Sequence, residues 1–221
     1  MDELTTSLLD LHDALGRRGV SLIVGGGLGL YLKRIHLAGT SERTLFTALP
    51  AYRATNDVDL FLRAEVLADA ERATAVADAI HSLGYKAIPG AEYYQWIRTM
   101  TTGGKLREVK LDLLVGPTEA VRSRLHGDER RVRPKGKRVG IHAHPTEEAI
   151  GIEDDPIPVT IVGRKSDGSK YSGTVLTPRA FPFLMMKLHA FDDRKAGSAK
   201  ELGRHHALDV YTIVGMMTER E

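Results

Sequence analysis

Six residues constrain this chain more than any others: Asp57-Val58-Asp59-Leu60-Phe61-Leu62. Val58, Leu60 and Leu62 recur with a period of two, the pattern of a strand with one face in a core. The same period points Asp57 and Asp59 to one side, at the lip of that strand. Two neighbouring carboxylates repel, and a divalent cation between them removes the conflict. A solvated pair at a loop end is the ordinary alternative. The apolar alternation that follows weighs against it.

A third acid stands in a similar setting. Val109-Lys110-Leu111-Asp112-Leu113-Leu114-Val115 reads as a strand stopped by Gly116-Pro117. An aspartate in so apolar a strand is costly unless it is paired or bound to metal. Lys110 or Arg107 can supply the pair, so a salt bridge and a metal site both remain open here. Upstream, Val20–Val24 reads as a buried strand running into Gly25-Gly26-Gly27, with a helix starting near Leu28. Glycines at a helix start let backbone amides approach a phosphate, although a structural turn explains them as well. Two other phosphate motifs are excluded. Leu30 stands where a dinucleotide fingerprint needs a small residue, and no Gly-Lys-Ser/Thr follows for a P-loop.

Around these motifs the chain alternates helices and strands. Leu4, Leu8, Leu11 and Leu15 predict a helix over 3–18. An alanine-rich helix is expected over 65–83, stopped by Gly84, and strands near 85–88 and 93–99. Beyond Gly116-Pro117 the reading gives a short helix near 118–125, strands near 139–143, 157–163 and 171–176, and two closing helices at about 178–192 and 199–218. Ser166-Asp167-Gly168-Ser169 is turn chemistry for a hairpin. Apolar stripes are expected at Leu184, Met185, Leu188 and Phe191, and at Leu208, Tyr211, Ile213 and Val214. The expected boundary divides the chain into 1–117, carrying the acids, and 118–221, a lobe of strands and closing helices.

Composition narrows the chemistry. The chain has no cysteine, so disulfides, thiol nucleophiles and cysteine zinc sites are excluded. No apolar run approaches the roughly 20 residues of a spanning helix, and the acidic start is unlike a signal peptide, so a cytoplasmic protein with no membrane partner is expected. Net charge is only +2, but Arg122, Arg124, Arg130, Arg131, Arg133, Lys135, Lys137 and Arg138 are opposed only by Asp128 and Glu129. That segment, 122–138, is either a solvated loop or a phosphate-attracting surface. His142 and His144 share a strand face, but no third ligand stands near them, and zinc is disfavoured.

Together, Val24-Gly25-Gly26-Gly27, Asn56-Asp57-Val58-Asp59-Leu60 and Leu111-Asp112-Leu113 resemble the nucleotidyltransferase superfamily of DNA polymerase β. Asn56 departs from the apolar residue usual there. The resemblance implies an α+β fold: a small mixed or antiparallel sheet flanked by helices, with a C-terminal lobe ending in two helices. It also implies Mg2+ or Mn2+ on Asp57, Asp59 and Asp112, with ATP or another nucleoside triphosphate as substrate at Gly25, Gly26 and Gly27. Further on, Lys187-Leu188-His189-Ala190-Phe191, Arg194 and His205-His206-Ala207-Leu208-Asp209 look like the AbiEii/AbiGii toxin-type branch. His205-His206 departs from its Arg/Lys-Asp. By that resemblance Lys187 binds the triphosphate, Arg194 supports the phosphates and Asp209 is a second active-site acid. The branch implies NMP transfer to a hydroxyl, with tRNA or other RNA at 122–138 and an antitoxin protein as partners. A protein or small-molecule acceptor, or a non-catalytic nucleotide-binding module, are the alternatives.

Overall fold

The computed structural model describes all residues except Met1, 52–54, Gly103, Glu129, 136–138 and 197–199, together with the side chains of Asp2, Thr102, Lys200 and Leu202. Its centre is a mixed sheet in the order β3-β4-β5-β2-β1-β10-β9, with β8 added beside β5. The strands are β1 (Ile23–Val24), β2 (Asp57–Phe61), β3 (Lys86–Ala87), β4 (Gln95–Thr102), β5 (Lys105–Val115), β8 (His144–Pro145), β9 (Ile157–Arg164) and β10 (Lys170–Thr177). A separate hairpin joins β6 (Leu125–Gly127) to β7 (Val132–Pro134). Helices α1 (Asp2–Gly16), α2 (Gly26–Ala38), α3 (Ala64–Ala68), α4 (Ala70–Ser82), α5 (Ala180–Arg194) and α6 (Lys200–Gly215) flank it, and the fold class is α+β. No described helix is long and apolar enough to cross a membrane.

Alternation decides which face of the sheet is which. Val109, Leu111, Leu113 and Val115 of β5 are buried with Val58 and Leu60 of β2, in one core with the Leu4-Leu8-Leu11-Leu15 stripe of α1. The residues between them, Asp57, Asp59, Lys110 and Asp112, therefore face the other way. On that side Ile23 and Phe61 pack with Ala149, Ile152 and Met186 of α5. The sheet also runs across Gly116-Pro117: β10 pairs in parallel with β1 at Ile23↔Leu176, and Leu176 N–H donates to Leu22 O at 2.8 Å.

Three expectations need correction. The helix over 65–83 is two helices, because Asp69 breaks it and caps α4, accepting from Glu71 N–H and Arg72 N–H at 2.9 and 3.1 Å. The strand expected at 139–143 is a single bridge at Ala143 followed by β8. The apolar stripes of the closing helices are buried only in part, at Ile213 and partly at Leu184. Leu188, Leu208 and Tyr211 are exposed, whereas Ala180, Phe183 and Lys187 of α5, and Asp209, Thr212 and Ile213 of α6, point inward. Lys137 and Arg138 of the basic segment lie outside the described residues.

One charged pair closes this side. Lys33 of α2 is fully buried, and its ammonium meets both carboxylate oxygens of Glu221 at 2.6 and 2.7 Å. Glu221 also accepts from Ala180 N–H at the start of α5, at 2.8 Å, so one carboxylate joins three elements. Burial pulls the Lys33 ammonium below its ordinary range, and the Glu221 charge works against that. Removing the partner leaves a cation in a dry site. Glu221→Ala should therefore cost about 3–5 kcal/mol in urea denaturation, and Lys33→Met combined with Glu221→Leu should recover most of it. A single variant as stable as the parent would show that the pair does not close the fold.

Candidate active site

The acids meet because β2 and β5 are parallel neighbours. Their register sets Asp57 opposite Lys110 and Asp59 opposite Asp112. Residues opposite each other on adjacent strands share a face, so Asp59 and Asp112 stand side by side, with Asp57 one pleat away. Gln95 on β4 lies opposite Asp112 on its other flank.

The glycine turn closes over Asp59. Gly25 N–H donates to Asp59 O at 2.8 Å, and Gly25 caps the start of α2. Gly26 has φ +57°, and a Cβ built there would lie 1.6 Å from Asp59 Oδ2. Only glycine fits that conformation and that contact together. Gly27 packs against the Thr55 side chain. Thr177 fastens the turn from behind, its hydroxyl donating to Gly29 O at 3.0 Å. The backbone at the N-terminus of α2, at Gly26, thus lies against the carboxylate that faces Asp112.

Charge is concentrated here. Burial first, then the charges of Asp112 and Asp57, push the Asp59 carboxyl up to about 6, while Lys187 and Lys110 pull the other way. Burial also raises Asp112, and the Lys110 ammonium opposes the rise. Asp112 Oδ2 accepts from Lys110 Nζ at 2.9 Å, whereas its Oδ1 is buried without a hydrogen bond. The salt bridge foreseen for Asp112 is therefore present and uses one of its two oxygens. Among the described residues no three acidic or histidine side chains are gathered as a ready metal site, and one Asp112 oxygen is engaged by Lys110. The donor set still suits a hard cation: two facing carboxylates raised by burial, with one buried Asp112 oxygen that makes no well-formed hydrogen bond and has the Gln95 side chain beside it.

Lys187 and Asp209 come together from the two closing helices. Lys187 Nζ lies 2.8 Å from Asp209 Oδ2 and both side chains are buried, close enough for the ammonium to act on Asp59. Arg194 is held elsewhere, its guanidinium donating to His206 Nε2 at 3.0 Å, and His205 is exposed. The fold thus brings Asp57, Asp59, Asp112, the glycine turn, Lys187 and Asp209 to one region and ties Arg194 to His206. Gln95 was missed by sequence reasoning. Only the register of the β4–β5 hairpin places it beside Asp112, and no local pattern marks it.

The basic segment divides. Arg122 and Lys135 line a cleft of about 820 Å3 with Glu119, Glu147 and Glu148, beyond the ends of these strands. Arg131 and Arg133 line a smaller pocket with Tyr93 and His142.

No family model and no curated relative matches this chain. Solved structures overlay on it at low scores. An antigenic nucleotidyltransferase-like protein from Paracoccidioides brasiliensis is 13% identical, with a TM-score of 0.48 over 95% of this chain and 74% of its own. The solution structure of the antibiotic-resistance factor ANT(2'')-Ia is 13% identical, with a TM-score of 0.40 over 97% of this chain and 91% of its own. The crystal structure of ANT(2")-Ia with adenylyl-2"-tobramycin is 10% identical, with a TM-score of 0.38 over 95% and 97%. Likenesses this distant leave the activity to be argued from the site itself.

Proposed function

We propose that this chain is a nucleotidyltransferase that moves a nucleoside monophosphate from a triphosphate to an acceptor hydroxyl. The observation that carries the reading is Asp59 facing Asp112 directly beneath the Gly25-Gly26 turn. That arrangement sets paired carboxylates against helix-start amides, which is what phosphate chemistry needs. A divalent cation held by Asp57, Asp59 and Asp112, Mg2+ or Mn2+, would neutralise phosphate charge and make the acceptor hydroxyl more acidic.

The chain's own groups have distinct tasks. Amides of Gly26 and Gly27 bind phosphate oxygens, and the buried Lys187 ammonium adds positive potential beside Asp59. Asp209 holds that ammonium in place. Where Asp112 Oδ1 is not engaged by a cation, it takes the hydroxyl proton directly as general base. The hydroxyl oxygen bonds to the α-phosphorus, the bond to the β-phosphate bridge breaks, and pyrophosphate leaves with its electron pair. Little covalent work falls to the protein, so positioning and charge neutralisation supply the acceleration. The meeting of Lys187 with Asp209 supports the finer reading, an AbiEii/AbiGii-type toxin acting on RNA. Incubation with each α-labelled triphosphate, Mg2+ and total RNA should put label on RNA. Label on a protein or small molecule would redirect the acceptor, and label on nothing with any acceptor would remove the transferase reading.

The charge on Asp59 has a cost that can be measured without metal. Its folded-state carboxyl titrates near 6, against an ordinary value of 3.8. Between those values the folded chain binds the extra proton, so this group's contribution to stability falls as pH rises through that window. Asp59→Asn should therefore raise metal-free stability at pH 7.5 by about 1–3 kcal/mol, with the gain shrinking toward pH 4. The same variant should lose nucleotide transfer at least a hundredfold. A variant that is no more stable, or that keeps its transfer rate, would take Asp59 out of this role.

A further inference from the structure

A second site stands on the other flank of β5. Tyr93 precedes β4 by two residues, and its neighbour Tyr94 accepts Leu113 N–H at 2.8 Å, one position from Asp112. Tyr93 has φ +82°, a left-handed conformation that a bulky residue takes only when its surroundings hold it there. Two contacts hold it. Its carbonyl accepts His142 N–H at 2.8 Å, and its ring stacks on the His142 imidazole, with centroids 4.5 Å apart and planes 22° apart. Tyr93 is nevertheless 42% exposed, so part of the ring remains open to solvent while His142 covers the other part.

Charge surrounds that ring. Tyr93, His142, Arg131, Arg133 and Val139 line a pocket of about 280 Å3. Arg131 faces Asp128, in an exposed pair at 3.7 Å, and Glu92 lies within its field. Arg133 makes no ion pair among the described residues. Exposed pairs such as Arg131 with Asp128 are worth little and open readily to a better anion. His142 is buried, and its Nδ1 has neither a hydrogen-bond partner nor contact with water. An aromatic ring and two guanidiniums lining one pocket offer a π surface and a phosphate fork together.

We propose that Tyr93, Arg131, Arg133 and His142 form a docking site for one nucleotide unit, its base stacked on Tyr93 and its phosphate held by the two arginines. The site is separate from the transfer reading, because binding here needs neither the acids nor a cation. The unit can be a free nucleoside monophosphate or one residue of a single strand; the chemistry recognised is the same.

Calorimetry in EDTA tests it on the full chain, with AMP and a short unstructured oligoribonucleotide as titrants and inorganic phosphate as control. Saturable binding is expected for at least one nucleotide titrant, weakened about tenfold in Tyr93→Gly and in Arg133→Ala. Glycine suits the left-handed backbone, so that variant removes the ring without adding strain. Tyr93→Phe keeps the ring and should bind like the parent. Binding of AMP marks a free nucleotide as occupant, and binding of the oligomer alone marks a strand; both support the site. A second readout follows from electrostatics. Burial and the two guanidiniums push His142 down to about 4, so a bound phosphate should move its NMR titration upward, with His142→Asn identifying the signal. Equal affinity in parent, Tyr93→Gly and Arg133→Ala, phosphate binding as tightly as nucleotide, or an unmoved His142 signal would each overturn the proposal.

Discussion

Everything at the candidate centre depends on the parallel pairing of β2 with β5. Antiparallel neighbours can be joined by a tight turn, but a parallel pair needs a crossover. Here that crossover includes α3, α4, β3 and β4. Its return fixes which residue stands beside Asp59. A slip of one residue would put Leu111 or Leu113 there and turn the acids into the core under α1. The apolar set Val58, Leu60, Leu111 and Leu113 prevents the slip, because every one of them is fully buried in the native register. The hydrophobic face and the polar face are thus one constraint seen from two sides.

The closing helices bury a charged pair beside their apolar core. Lys187 and Asp209 point inward while Leu188, Leu208 and Tyr211 face solvent. Two charges buried together seldom stabilise a fold, since desolvation consumes most of what their attraction returns. Their placement makes sense as electrostatics: the ammonium opposes the proton that burial and two neighbouring carboxylates press onto Asp59. Lys33 with Glu221 has the same form but a different setting, at the start of α5, where it joins helices. The two pairs differ in what the cation faces, a carboxylate cluster in one case and a helix junction in the other.

Much of the fold and of this site was legible in the sequence. The period-two runs around Asp59 and Asp112 gave the strands and their faces, and glycines marked the turn, because both signals are local. Three things were not legible. The break at Asp69 sits in a run whose alanines favour one continuous helix, and only the cap reveals two. The inward face of α5 was read only in part, because apolar spacing does not show that Leu188 faces solvent while Lys187 beside it is buried against Asp209. Gln95, the Tyr93 backbone and the bridge of β10 to β1 depend on partners far away in the chain, and no window of sequence contains them.

That last bridge gives the molecule an order in time. The glycine turn follows a strand of only two residues, Ile23–Val24, held on one side by β2 and on the other by Leu176 and Thr177. Lys187 and Asp209 come later still. A chain leaving the ribosome therefore presents its acids early and the frame around its glycine turn late, since segments fold as they emerge. A fold of this design gathers its candidate site only once its last two helices are in place.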